Sequence, residues 1–122
     1  MPYELEIEQH PGFLRVVLSG KETLDDSKEG WRNIFEACER HGERKVLVVE
    51  NLDDTLSIGE TYELVRYIDG LGLARDIRIA FVDRKPMQYA INKFAETVAN
   101  NRGFDGKVFF TEKAARTWLM SD

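Results

Sequence analysis

The chain has 122 residues, 43% of them hydrophobic and 32% charged, and its 17 Lys and Arg against 22 Asp and Glu leave a formal charge of −5. That length fits one domain over residues 1–122, which folds without a metal or disulfide because a chain of this size buries about two thirds of its unfolded surface. The acidic balance excludes a general nucleic-acid partner, no apolar run reaches the ~20 residues of a stable membrane insertion, and the lone Cys38 makes no internal disulfide.

Tyr3, Leu5 and Ile7 alternate with Glu4, Glu6 and Glu8, the period of a strand with one wet face. Pro11-Gly12 is a turn signal, and Phe13 to Leu18 reads as a second strand, antiparallel to the first and ended by Gly20. Thr23 is placed to cap a helix with Asp25 and Asp26 in its first turn. Trp31, Ile34, Phe35 and Cys38 then form one helical stripe that stops at Gly42. Lys45 to Val49 lacks alternation, as a central strand buried on both faces does.

Asn51 to Leu56 reads as a polar loop, and Ser57-Ile58-Gly59-Glu60 has the capping-box spacing. Leu64, Val65, Ile68 and Leu71 give the next helix its apolar face, with Gly70 and Gly72 at its frayed end. Ile77 to Val82 is another strand. Pro86 opens a helix whose stripe is Met87, Ala90, Ile91, Phe94 and Val98. Asn100 to Gly103 ends it, Val108 to Phe110 is a last strand, and Thr111 caps a helix carrying Ala115, Trp118 and Leu119. The order is β-β-α-β-α-β-α-β-α, an α/β fold with a mixed sheet whose strand–helix–strand units cross over right-handed.

Four stretches carry a resemblance. They are Val17-Leu18-Ser19-Gly20-Lys21, then Lys45 to Glu50 with the acidic loop into Ser57-Ile58-Gly59, then Ile77 to Asp83 with the basic pair behind it, and Lys107 to Phe110 leading to Trp118-Leu119. In this order they resemble the STAS domain of the SpoIIAA-like superfamily, in particular a bacterial SpoIIAA-like branch likened to the CRAL-TRIO lipid-transfer domains. The resemblance implies a non-enzymatic, regulatory, protein-binding domain without a cofactor. It also implies a lipid-binding alternative, in which a pocket beneath the second and third helices holds a small apolar ligand. In the anti-sigma antagonists of the superfamily, the second serine of an Asp-Ser-Ser-Gly loop is phosphorylated. Aligning Gly59 with that glycine puts Ile58 at the phosphorylated position and Leu56 at the aspartate, so only Ser57 matches a serine.

Ser57 is therefore the candidate phosphorylation site, set against a plain helix cap bonded to Glu60. Thr55 is its weaker neighbour. Asp53 and Asp54 would need Glu50 and several more oxygens to hold a cation, so no metal site is read there. Arg84 and Lys85 follow a strand and precede a helix, the place where open α/β sheets gather ligands. If the strands from Lys45 and Ile77 are parallel neighbours, Asp53, Asp54, Thr55 and Ser57 share a sheet edge with Arg84 and Lys85. With Tyr62, that edge is the expected binding surface for a protein partner or a second copy. Trp31, Tyr62, Tyr67, Tyr89 and Phe94 lie on helices, where they either fill the core, line an apolar pocket or form a docking patch. His10 and His41 sit in turns without metal spacing, and Cys38 falls on a core stripe. Met1-Pro2-Tyr3-Glu4 lacks the basic and apolar parts of a secretory leader, and the expected location is the cytoplasm.

Overall fold

Strand alternation at the start of the chain, helical periodicity after it and unalternated β-branched runs in between leave few ways to bury every apolar face at once. The computed structural model describes residues 2–72 and 76–121. Within them run β1 (Glu4–His10), β2 (Phe13–Lys21), α1 (Leu24–His41), β3 (Lys45–Asp54), α2 (Ile58–Leu71), β4 (Arg78–Val82), α3 (Pro86–Asn101), β5 (Asp105–Phe109) and α4 (Glu112–Leu119). The five strands form one sheet in the order β1-β2-β3-β4-β5. β1 pairs antiparallel with β2, with Ile7 opposite Val16, while β2, β3, β4 and β5 are mutually parallel. A parallel sheet that always steps the same way with right-handed crossovers puts its connecting helices on one face.

That face holds the larger core. Leu14, Val16, Leu18, Val46, Val48 and Ile79 of the sheet meet Trp31, Ile34, Phe35 and Cys38 of α1 and Leu64 of α2, with Tyr3, Leu5 and Ile7 packed alongside. On the opposite face Phe13, Leu47, Val49, Ala80 and Val82 are covered by Ala115 and Leu119 of α4. β3 is thus buried on both sides, which accounts for its unalternated sequence.

Local signals set most boundaries. Thr23, Ser57 and Thr111 accept hydrogen bonds from the backbone N–H three residues on, and Ser57 and Glu60 close a reciprocal capping box. Gly42 and Gly72 end α1 and α2 in the left-handed conformation (φ 65° and 68°) that glycine adopts at no steric cost. Other expectations need correction. Gly20 lies inside β2, at a register shift between β2 and β3, and pairing resumes through Lys21 and Asp54. Asn51 to Asp54 therefore belong to β3 rather than to a loop, and Leu56, also assigned to that loop, is a buried core residue. Gly70 is helical. β5 begins at Asp105 rather than at Val108 and ends at Phe109.

The largest departure is the orientation of α3. Most of the stripe assigned to its core face is turned outward: Met87 is 80% exposed, Phe94 40%, and Ala90 is exposed as well, while Ile91 and Val98 are half-buried at its flank. The inward face instead carries Gln88, buried, and Asn92, Ala95, Glu96 and Ala99, which line a cavity over the sheet. Asn92 and Glu96 are tolerated there because Glu50, Asp83 and the Val108 N–H pair with them, whereas Gln88 Oε1 is buried without a partner among the described residues.

Candidate functional site

Because β2 to β5 are parallel, their carboxyl ends and the N-termini of the helices that follow gather at one edge of the sheet, where open α/β folds place their ligands. The segments meeting there are Glu22 and Thr23 after β2, Thr55 to Ser57 after β3, and Asp83 to Lys85 after β4. The parallel pairing of β3 with β4 is the condition on which the sequence placed the two loops together, and it holds. The Lys85 ammonium donates to the carbonyl oxygen of Leu52, which ties the loops directly.

Three carboxylates lie at this edge beneath the helix starts. Glu22 Oε2 accepts from Ser27 Oγ at 2.7 Å, and its Oε1 accepts from Thr55 Oγ1 at 3.0 Å. Asp83, 1% exposed, accepts from the Lys85 backbone N–H at 3.0 Å. Asn92, reaching in from α3, uses its amide nitrogen to join two acids: Nδ2 lies 2.7 Å from Glu50 Oε2 and 3.1 Å from Asp83 Oδ2. Burial pushes all three carboxyls above their ordinary range, and Glu50 furthest, because Glu22 and Asp83 add their own negative charge to the cost of desolvation. The Tyr3 hydroxyl is also raised, first by burial and then by Glu22, Glu50 and Asp26.

Behind the acids a cavity of about 100 Å³ runs between the sheet, α2 and α3. Leu18, Trp31, Leu64, Ile79, Phe81 and Phe104 supply apolar wall, and Glu22, Glu50, Thr55 and Asn92 line it as well. Of the aromatics considered for a pocket from the sequence, Trp31 lines it, whereas Tyr62, Tyr67, Tyr89 and Phe94 do not. Tyr89 stacks on Phe110 with ring centroids 3.9 Å apart.

The residues singled out from the sequence divide. Thr55 and Lys85 join the acid cluster through Glu22 and Asp83. Ser57 is exposed, its hydroxyl accepting from the Glu60 N–H at 3.2 Å while its own N–H donates to Glu60 Oε1 at 3.1 Å. Asp53 and Asp54 are exposed at the end of β3, and Asp54 Oδ1 accepts from the Thr55 N–H. Among the described residues no group of three or more His, Cys, Asp or Glu side chains is arranged to hold a metal ion. Tyr62 lies off the cluster, its hydroxyl 3.5 Å from Arg102 Nη2. Arg84 is exposed, and its charge acts on Glu112 at the start of α4. Glu22, Asp83 and Asn92 were missed. A signal for Asp83 was available, since an acid that follows an apolar parallel strand without a spacer is carried to this edge with the strand's burial. Asn92 had none, because its role depends on which way α3 faces.

Cys38 is buried in the core, and burial pushes its thiol up to about 11, so it is protonated at neutral pH. His10 is bonded to Glu8 and stacked on Phe13, well along the chain from Cys38. None of the described helices is long and apolar enough to cross a membrane.

No family model matches the chain, and no curated protein does. Among solved structures it is similar to an uncharacterised DUF3478-family protein with a SpoIIAA-like fold from Shewanella loihica PV-4. The identity is 22% and the TM-score 0.58, over 96% of this chain and 93% of that one. It also matches, at 12% identity and a TM-score of 0.47 over 88% of this chain and 90% of the other, a chain of the diguanylate cyclase SiaD in complex with its activator SiaC from Pseudomonas aeruginosa. The first likeness and the element order together show the SpoIIAA-like fold that the sequence resembled.

Proposed function

We propose that this chain is a non-enzymatic regulatory domain that works by docking a protein partner on the outward faces of α2 and α3. The observation that carries the reading is the outward turn of α3. Met87 and Phe94 stand 80% and 40% exposed, next to a helix that exposes Ile58 at 57% and Tyr62 at 41%. A small protein leaves such a set of large apolar side chains on adjacent helices uncovered at a cost that a partner removes. Asp53, Asp54, Ser57, Arg84 and Lys85 surround the helix starts with charge and hydroxyl, the polar rim that a docking surface carries. Ser57 is open to modification there, and a phosphate on it would meet the positive end of α2. Cys38 is buried in the core with its thiol held in the protonated form, which supports a reading that does not use it as a nucleophile.

The test is site-specific photo-crosslinking in the native host, with the reactive group at Tyr62 or Phe94 and a control at the exposed Glu39 of α1. A discrete crosslinked species from the first two positions only, lost in Met87→Glu, supports docking. A species of twice the chain mass makes the partner a second copy. No species, or equal yields from all three positions, refutes the surface.

A second reading, carriage of an apolar ligand beneath α2 and α3, is supported by the cavity itself. Its ~100 Å³ is about two thirds of the ~150 Å³ that accepts benzene in an engineered protein cavity. A few carbons fit, and a lipid chain would require α2 and α3 to part.

A further inference from the structure

The cavity has apolar walls and an acidic end, and this contrast selects what it would hold. Its lining contains Glu22, Glu50, Glu96 and Asp105, and no Lys, Arg or His side chain. Three of these acids are already committed, Asp105 by the Arg78 guanidinium at 3.3 Å. Glu96 accepts from the Val108 N–H at 2.8 Å and from Lys93 Nζ at 2.8 Å, and Glu22 accepts from Ser27 and Thr55 on its two oxygens. Glu50 differs. Its Oε2 accepts from Asn92, and its Oε1 receives no hydrogen bond among the described residues although the side chain faces the cavity. Lys85, the nearest cation of the loop after β4, is turned to the Leu52 carbonyl and does not line the space. A mostly apolar cavity, partly open to solvent, with an acceptor that no donor among the described residues fills and no cation of the protein's own in its lining, is complementary to one kind of guest.

We propose that this cavity binds a small alkylammonium ion, its hydrocarbon against Leu18, Trp31, Ile79 and Phe81 and its –NH3+ donating to Glu50 Oε1. The proposal rests on the cavity reading above and narrows it from any apolar molecule to an amine of about four carbons, the size that ~100 Å³ admits. A neutral alcohol of the same length fills the walls equally well and can donate one hydrogen bond to the acceptor, but it brings no positive charge to the carboxylate. A cation stabilises the charged carboxylate that burial otherwise disfavours, so amine affinity rises with pH as Glu50 ionises. The titratable and charged groups around Glu50 are Glu22 after β2, Asp83 and Lys85 after β4, and Tyr3 ahead of β1. Glu96 of α3 and Asp105 of β5 line the same cavity.

The experiment titrates n-butylammonium chloride and, separately, n-butanol into the 15N-labelled full chain at constant ionic strength. It follows the Trp31 indole and the amides of Ala95, Ala99 and Gly106 by two-dimensional NMR. The proposal expects saturable shifts centred on these residues and at least tenfold tighter binding of butylammonium than of butanol. It also expects the amine's advantage to grow as pH rises and Glu50 ionises. Glu50→Gln should lose that advantage while keeping butanol affinity, and Ala99→Leu, which fills the cavity, should lose both guests. If butanol and butylammonium bind equally at every pH, the cavity reading stands and the amine is overturned. If neither shifts the cavity residues, both fail. The pH series on the unmodified chain decides the matter even if Glu50→Gln does not fold.

Discussion

Replacing Ser57 by alanine isolates the structural work of the residue that the sequence marks as a modification site. In the folded chain the Ser57 hydroxyl accepts from the Glu60 N–H while Glu60 returns a hydrogen bond to the Ser57 N–H, so two otherwise unpaired donors at the start of α2 are satisfied. Alanine deletes the first bond and leaves the second. The cost for an exposed cap is about 1 kcal/mol. Unfolding entropy near the midpoint is about 2.1 cal/mol/K per residue, which for 122 residues makes 1 kcal/mol a fall in Tm of about 4 °C. Aspartate caps as well as serine and adds negative charge at the positive end of the helix, so Ser57→Asp should stay within about 0.5 kcal/mol of the parent. Urea denaturation with circular dichroism of the three proteins measures both. An alanine variant as stable as the parent would refute the cap, and so would an aspartate variant as unstable as the alanine one. Because aspartate preserves the cap, any loss of crosslinking at Tyr62 in that variant reports charge at the surface and not a frayed helix.

The pH dependence has a definite sign. Glu22, Glu50 and Asp83 have carboxyls raised by burial, so the native state holds protons that the unfolded chain releases; their contribution is full below about pH 4 and is lost as pH rises through the native values. Glu112, lowered by Arg15, contributes the opposite trend and loses its stabilisation as pH falls through its native value. Urea midpoints should therefore decline from mildly acid pH towards pH 8, and Glu50→Gln should flatten the decline; a midpoint that climbs steadily to neutrality would refute the account. Met87→Glu and Phe94→Glu, on exposed side chains, should change stability by less than about 0.5 kcal/mol while abolishing crosslinking, and a large stability loss would place these residues in the core after all. Leu119→Ala should cost about 3 kcal/mol in the same denaturation assay, because Leu119 is fully buried and α4 is the helix that packs on that face of the sheet; a cost under 1 kcal/mol would mean that the face needs no cover.

The sequence by itself determined what depends on neighbours along the chain. Thr23, Ser57 and Thr111 cap where a hydroxyl precedes a helical stripe, Gly42 and Gly72 stop helices because they accept positive φ, and Lys45 to Val49 reads as doubly buried because no position in it is polar after the first. Those local signals, in order, were enough for the fold, and they put Thr55 and Lys85 at the right edge. The tertiary structure decided what depends on direction in space. A helix with Met87, Ile91 and Phe94 on one side and Gln88, Asn92 and Glu96 on the other is amphipathic either way round, and periodicity favours the apolar side inward. The acids within β3 and just after β2 and β4 reverse that preference: Asn92 bridges Glu50 and Asp83, which would otherwise be buried with fewer partners, and exposing Met87 and Phe94 costs less than leaving those oxygens without that donor. The cluster, the cavity behind it and the apolar surface above it follow from that one rotation, which no residue spacing within α3 records because the residues that enforce it are brought from β3 and β4 only by the parallel pairing of the sheet.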